Sequence, residues 1–382
     1  MKLMKSIFLL MLCGALLSGC WDRNEINDVA FVLGAAIDRE KDGYRVSVVI
    51  PLPGNLSGPT GGGGGGNKKP YTIQSEVGTT THEAIDKLQL QLSRKLFFAH
   101  SRLILIGEDV LQEGIDPIMD TALRLAEIRL TTLIAATKGN AADFLGADVK
   151  LERFPIEAMR EILESDDSIR VSLKQLALDM NTTGSEAVIP YFEVVKAEVA
   201  NEKTEEIRAT GYALLKKGKK AAVIHDDEAD GIRLLKGAFK PFSQTLTTDN
   251  GAFTVLFSSV DKEIKPYLVG TQIHFNIKIY AVGNITEDLS TQDIFNHIPV
   301  IQTATNQRLE LQVKQLMRTL TNVKSDAVGF GHILSRKYPG KWESIWEPNW
   351  DYVFSQCQFH VTVETKVFGF GMLRRNMTVR EE

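Results

Sequence analysis

Two basic residues, Lys2 and Lys5, precede an apolar run from Ile7 to Leu17 that only Gly14 interrupts. The run is well short of the roughly 20 residues a membrane-spanning helix needs. Val29 to Asp38 is apolar with Gly34 inside and reads as a buried strand. Tyr44 to Leu52 alternates, with Tyr44, Val46, Val48, Ile50 and Leu52 on one side, and reads as its hairpin partner across Asp42-Gly43. Pro70 to Val77 is a further strand candidate. Thr80 and Glu83 have capping-box spacing and open a helix with Ile85, Leu88 and Leu92 on one face. Leu96 to Ile106 reads as one apolar strand. Asp116-Pro117 reads as an N-cap and first helical residue, with Ile118, Ala122 and Leu125 turned inward. Arg129 to Thr137 reads as another buried strand. Strand and helix therefore alternate from about residue 70 to 145, an α/β pattern.

Residues 150–182 have helical spacing, with Ile156, Met159, Ile162 and Leu163, then Leu173, Leu176 and Leu178, as the apolar face. Val188 to Val195 reads as a strand carrying Pro190. Glu193 to Arg208 is rich in charge and is the expected border between two halves. Beyond it, Thr210–Lys216 and Ala221–His225 read as a hairpin around Lys217-Gly218-Lys219, followed by a helical turn through Ile232 and Leu235 to Gly237. Ala252–Val260 and Val269–Val282 read as strands, the second alternating Ile273, Phe275, Ile277 and Ile279. Leu309, Val313, Leu316, Leu320 and Val323 form one face of a long helix, packed on its own sheet or on a partner helix. Ala327–Tyr338 reads as a second helix, and Gln358–Phe368 as a final alternating strand. Trp342, Trp346 and Trp350 fall at four-residue steps. They pack the core, stack a ligand or grip a partner, and Pro348 limits how far one helix carries them. The expected fold class is α+β (mixed α/β), two to three domains with helices packed on β-sheets.

Length supports that domain count, and the apolar content of 43% permits a sizeable core. The formal charge is −4, and it falls by two more if Lys2 and Lys5 are removed. That argues against a nucleic-acid partner, which needs a basic face. The glycine run Gly61–Gly66 sits within a low-complexity stretch, 54–69. It is not a phosphate loop, because Asn67-Lys68-Lys69-Pro70 follows and supplies no hydroxyl after the lysine. A flexible surface loop is expected there.

The N-terminus combines a basic start, an apolar run and small residues Ser18 and Gly19 before Cys20, the layout of a secretory signal. Leu17-Ser18-Gly19-Cys20 resembles the lipobox of bacterial lipoproteins. The resemblance implies acylation of Cys20 and cleavage before it; an ordinary signal with a chance cysteine is the alternative. Of the three cysteines, Cys13 leaves with the signal and Cys20 becomes a thioether, so Cys357 is left as the lone thiol and no internal disulfide can form. Its place in an alternating pattern makes Cys357 a small core residue.

Cys20-Trp21-Asp22 with Glu25-Ile26 directly after a lipobox resembles the mature start of the Ger(x)C (GerAC) family, the lipoprotein C subunits of nutrient germinant receptors in bacterial spores. The stretch Phe98–Glu108, ending in Ile106-Gly107-Glu108, resembles a strand of that family. Leu123–Arg129 resembles its Arg-Asp-Pro-Glu-hydrophobic-Arg stretch, but with Leu125 and Ala126 where Asp and Pro are usual. Arg124, Glu127 and Arg129 are therefore read as a local ion-pair group at a helix end. Tyr338-Pro339 with the spaced tryptophans is a further likeness, and Gly369 to Leu373 a loose one. The resemblance implies a signal peptide at 1–19, an N-terminal GerAC-like domain at 20–200 and a C-terminal one at 207–375. It also implies a palmitate-type anchor at Cys20 on the outer face of the spore inner membrane, and membrane-bound A and B subunits as partners. Trp21, Asp22, Glu25 and Ile26 carry the motif after the anchor without an assigned role.

Familiar chemistry is not visible. None of the seven histidines falls in a His-Glu-x-x-His pattern, and neither Cys-x-x-Cys nor Gly-x-Ser-x-Gly occurs. His225-Asp226-Asp227-Glu228 could hold a cation, but helix capping and solvation account for it. His100 and His274 sit in apolar strand patterns, and Asp166-Asp167 is too local a pair for acid–base work. No catalytic residue, metal or cofactor is expected, and the protein is read as non-enzymatic. A solute-binding lipoprotein feeding a transporter remains the rival reading, and an exported hydrolase a third with nothing positive behind it.

Overall fold

The computed structural model describes residues 26–55, 69–165, 168–199, 202–237, 241–248, 251–289 and 294–368. The first strands follow from the N-terminal apolar pattern. β1 (Val29–Phe31) and β2 (Gly34–Glu40) divide what reads as one strand, and β3 (Gly43–Pro51) returns antiparallel to β2. β4 (Tyr71–Gly78) pairs with β3. Helix α1 (Thr81–Gln91) begins where Thr80 Oγ1 accepts the Glu83 N–H, and Glu83 reaches back to the Thr79 N–H.

The expected strand Leu96–Ile106 is broken. β5 (Lys95–Phe97) pairs in parallel with β1, a turn of 3₁₀ helix covers Phe98–His100, and β6 (Leu103–Ile106) joins β2 in the main sheet. α2 (Glu108–Glu113) follows, then α3 (Asp116–Arg124), in which Asp116 is already helical and Ile115 holds the cap position expected for Asp116. Leu125, expected inward, is only half-buried. β7 (Leu133–Thr137) is shorter than the expected 129–137, because Arg129 to Thr132 form a turn that the Thr132 N–H closes onto the Arg129 carbonyl. α4 (Ala141–Leu145), α5 (Pro155–Glu164) and α6 (Leu173–Asn181) complete the first half. Leu178, expected on the apolar face of α6, is exposed.

The charge-rich stretch is a β-hairpin. β8 (Val188–Val199) and β9 (Glu202–Lys216) run antiparallel through it, so the border expected at about 200–207 falls at the hairpin tip. β9 then turns at Lys217-Gly218 into β10 (Lys219–His225). The eight strands lie in the order β10-β9-β8-β7-β6-β2-β3-β4, parallel at the centre from β2 through β8 and antiparallel on both sides. Strand alternation covers both faces of the centre: Ile104 and Ile106 enter one core while Leu103 and Leu105 meet Phe144, Ile156 and Met159 in another.

α7 (Asp226–Lys236) leads to a second sheet. β11 (Phe242–Thr248), β12 (Gly251–Val269) and β13 (Gln272–Asp288) are antiparallel, and β14 (Gln358–Phe368) adds in parallel to β13. Val269 ends β12 rather than opening β13, and β11 was not expected. Its outward side is serine and threonine (Ser243, Thr245, Thr247), which hides its alternation. α8 (Ile294–Val323) buries Leu309, Val313, Leu316 and Leu320 against this sheet and against α7. α9 (Phe330–Lys337), a π-helical turn over Trp342–Trp346, a 3₁₀ turn over Glu347–Asn349 and α10 (Trp350–Ser355) close the core. The Pro348 region thus breaks the tryptophan segment into three short pieces. Trp342 and Trp346 are buried, and Trp342 lies 5.0 Å from Trp350, so these rings are packing. One core cluster runs from Ile106 in the first sheet through Leu316 to Phe275 in the second. The fold is mixed α+β.

Candidate functional site at the junction of the two halves

The segment before α9 is where the halves are locked together. Asp326 is 1% exposed. Its Oδ1 accepts the N–H groups of Gly329 and Phe330 at 2.9 Å each, and its Oδ2 accepts Gly331 N–H at 2.7 Å and the Trp350 indole N–H at 3.1 Å. The carboxylate therefore satisfies the otherwise orphaned donors at the start of α9. Its own backbone carbonyl accepts Glu186 N–H at 2.8 Å, and His332 N–H donates to the Gly184 carbonyl at 3.0 Å. Glu186 in turn accepts Lys217 N–H at 2.9 Å, and Asp351 meets Lys216 at 3.0 Å and Lys217 at 3.3 Å. Burial pushes the Asp326 carboxyl up to about 6 against the pull of its four donors. Burial also raises Glu186, opposed by the Lys217 N–H and reinforced by the charges of Asp351 and Asp326.

A cleft of about 680 Å³ opens between α6, α7 and β12. Asp179 on α6 is buried, takes the Gln175 amide at 2.9 Å and pairs with Lys236 on α7 at 2.9 Å. Asp230 pairs with Arg233 one turn along α7 and takes the Gln312 amide from α8 at 2.9 Å. Burial raises the Asp230 carboxyl, against Arg233. Lys262 enters the cleft from β12, with its Nζ 3.5 Å from the Gly237 carbonyl.

The acids expected to cap α7 or hold a cation lie in its first turn, where they face the positive end of the helix without a side-chain cap bond. Asp227 pairs with Arg308, and Glu228 accepts the Thr319 hydroxyl, so both tie α7 to α8. His225 Nδ1 lies 3.0 Å from the Thr210 carbonyl. Among the described residues no three His, Cys, Asp or Glu side chains converge as a metal site. His100 lies in the 3₁₀ turn, edge-on to Phe31 at 5.2 Å. His274 sits on the outer side of the second sheet, stacked at 5.3 Å on His360 and at 5.1 Å on Tyr267. Arg124 pairs back to Asp120 and Glu127 to Lys95, so the expected Arg124–Glu127–Arg129 group is not formed. Cys357 is buried just before β14, its Sγ 3.3 Å from the Val353 carbonyl.

Cys20, Trp21, Asp22 and Glu25, with the whole expected signal 1–19, lie outside the described residues, as do 56–68 of the glycine-rich stretch, Asp166-Asp167 and Gly369–Leu373. Ile26 opens a 3₁₀ turn, Ile26–Asp28, that runs directly into β1. No helix among the described residues is long and apolar enough to cross a membrane. Sequence reading passed over Asp326, Asp179, Lys236 and Lys262. Only Asp326 left a trace, as an acid three residues ahead of the Gly329-Phe330-Gly331 helix start.

Known proteins share this architecture. The crystal structure of the GerBC protein superposes with a TM-score of 0.58 at 19% identity, covering 91% of this chain and 100% of that one, which shows a common fold. The putative spore germination protein YfkR of Bacillus subtilis (strain 168) is 32% identical over 379 residues, 98% of each chain. Spore germination protein KC of the same organism is 26% identical over 402 residues, covering 98% of this chain and 97% of that one. The model of the spore germination protein N-terminal domain matches residues 22–194, and that of the spore germination B3/GerAC-like C-terminal domain matches 210–371. The two matches meet around the β8–β9 hairpin and together span most of the length, so the chain belongs to the GerAC family of spore germination proteins.

Proposed function

We propose that this chain is a lipid-anchored, non-enzymatic subunit of a spore nutrient germinant receptor. It is held on the outer face of the spore inner membrane by acylated Cys20 and assembles there with membrane-bound A and B subunits. The observation that carries the reading is the match of both GerAC family halves along nearly the whole chain, beginning two residues after the lipobox cysteine. Two or three acyl chains hold a protein stably where one binds marginally. Confinement to a thin layer raises the effective concentration of the folded halves for a membrane partner. The physical role is thus positional, and it needs no catalytic constellation.

The rival, a solute-binding lipoprotein, calls for two similar lobes hinged around a ligand. This chain instead builds one eight-stranded mixed sheet and one four-stranded sheet of different topology, joined by a shared core.

The test is capture of the tagged protein from detergent-solubilised spore membranes, with partners identified by mass spectrometry. A multi-pass protein together with a second large subunit is expected, and Cys20→Ala is expected to reduce both the capture and nutrient-triggered germination. A permease and an ATPase in their place, or normal germination with Cys20→Ala, would overturn the reading.

A further inference from the structure

We propose that the end of the first sheet where its central parallel strands begin rests on the bilayer, with Leu90, Leu130 and Leu151 in the headgroup–acyl boundary. The inference rests on the anchor proposed above. Cys20 is six residues before Ile26, so the tether spans roughly 20 Å at most. The chain enters the fold at this end. Val32 N–H donates to the Phe97 carbonyl, Leu33 N–H to Val49 of β3, and Arg102 N–H to Leu33, just before β2 and β6 set out.

Strand direction gathers the three leucines there. β2, β6 and β7 run in parallel with Gly34, Leu103 and Leu133 level, so their starts lie side by side. β4 leaves the same end at Tyr71, beside Pro51, and α1 packs on β3 and β4 as it comes back. Near the last turn of α1, the Gln89 amide bonds the Arg94 carbonyl at 3.0 Å and Leu96 N–H at 2.8 Å, which sets Leu90 beside β5. Leu130 lies in the turn before β7, where the Thr132 hydroxyl donates to the Ser101 carbonyl at 2.9 Å. Leu151 is three residues before Phe154, whose ring centroid is 5.9 Å from that of Tyr71.

Single exposed leucines are ordinary on a protein surface. Here Leu151 is 97% exposed and Leu90 86%, the highest among the large apolar side chains of the described residues, and both lie at the tethered end. Each leucine has an exposed cation close by in sequence: Arg94, Arg129 and Lys150. Their long stems lie along apolar surface while the charged heads reach lipid phosphates. Asp28 and Glu152 are exposed at the same end, while Glu127 and Glu157 meet Lys95 and Arg102 at 3.4 Å. Charge at this end is therefore mixed, and insertion of the leucines carries the contact.

The test uses the acylated full chain, purified from membranes and reconstituted in vesicles of phosphatidylcholine and phosphatidylglycerol. In a Cys357→Ser background, Leu90→Cys, Leu130→Cys, Leu151→Cys and Asp42→Cys are each labelled with bimane. Asp42 is exposed beyond the far end of β2, about 25 Å from Gly34 along the strand. Nitroxide-bearing lipid is expected to lower emission from positions 90, 130 and 151 at least about twofold and from 42 by under about a tenth. Leu90→Asp and Leu151→Asp together should remove most of the quenching at 130. Flotation separates this inference from the anchor. Protein that does not float with the vesicles overturns the anchor and the orientation with it. Protein that floats with the three labels quenched no more than the label at 42 keeps the anchor and overturns the orientation, since protein rather than lipid would then cover this end. Quenching at 130 that survives both aspartates overturns the insertion of the leucines.

Discussion

The indole N–H of Trp350 donates to Asp326 Oδ2 at 3.1 Å, and through that bond the last short helix reports on a carboxylate with almost no exposure. Three backbone N–H groups share the same carboxylate. Asp326→Ala strands four buried donors, each worth about 1–3 kcal/mol when left unpaired. A loss of more than about 3 kcal/mol is expected from urea unfolding, among the largest for any single change. Asp326→Asn should restore little, since its amide turns N–H groups toward two of the same donors. A loss under about 1 kcal/mol for the alanine variant would show that water replaces the carboxylate at no great cost.

Asp326 also sets a pH dependence. Its carboxyl is pushed up to about 6 in the fold, above its value of 3.8 when unperturbed. The folded chain therefore binds that proton more tightly than the unfolded one. The contribution is full below about pH 4 and is lost as pH rises through about 6. Glu186, raised by burial, shifts in the same sense, while Lys216 and Lys217 hold Asp351 below the usual carboxylate range against the effect of its own burial. Tryptophan emission should titrate with a midpoint near 6, and Trp350→Phe should remove most of the change. A flat profile across about pH 4.5–7.5, or a midpoint below about 5, would place the carboxylate among ordinary ionised aspartates.

The elements most legible in the sequence are those with local causes. Asp42-Gly43 names the β2–β3 hairpin, Thr80 and Glu83 start α1, and the Leu309–Leu320 spacing marks the buried face of α8. What was hidden depends on distant partners. Leu96–Ile106 has a continuous apolar pattern, yet two strands emerge because β5 pairs with β1 and β6 with β2. The charges of 193–208 read as a border because strand pairing leaves no mark in composition; Lys138 meets Glu193, and Glu206 meets Arg208, on an ordinary solvated sheet surface. The acids of α7 looked like a cap until Arg308 and Thr319 arrived from α8, some 80–90 residues on. The cleft was illegible for the same reason: Asp179, Lys236 and Lys262 come from three segments.

Gly184 gives a sharp test of the junction. Its φ is +68°, and a Cβ there would lie 2.5 Å from the Gly331 carbonyl carbon and 2.7 Å from the Trp342 ring. Gly139 has the same φ of +68° but nothing within 4 Å of its would-be Cβ. Gly139→Ala isolates the left-handed backbone penalty, roughly 1–2 kcal/mol. Gly184→Ala adds an overpacking cost of about 1–3 kcal/mol. The midpoint of urea unfolding should therefore fall distinctly further for Gly184→Ala. Equal shifts would mean that the two halves move apart to admit a methyl group and that the close approach is not a constraint.

Thiol chemistry joins the structure to the proposed anchor. Cys357 is 6% exposed, and burial, then the Asp326 charge, push its thiol up to about 12. Relative to a free cysteine near 8.5, that lowers the thiolate fraction at neutral pH by about three orders of magnitude, before access is counted. Cys13 leaves with the proposed signal, and acylated Cys20 has no free sulfur. The mature protein should accordingly show no fast-reacting thiol with Ellman's reagent when native and one when denatured in guanidinium. A native thiol that reacts within seconds would be Cys20 if Cys357→Ser leaves it in place, and the thioether anchor would then be excluded. If Cys357→Ser abolishes it, the packing around Cys357 opens far more readily than its burial implies.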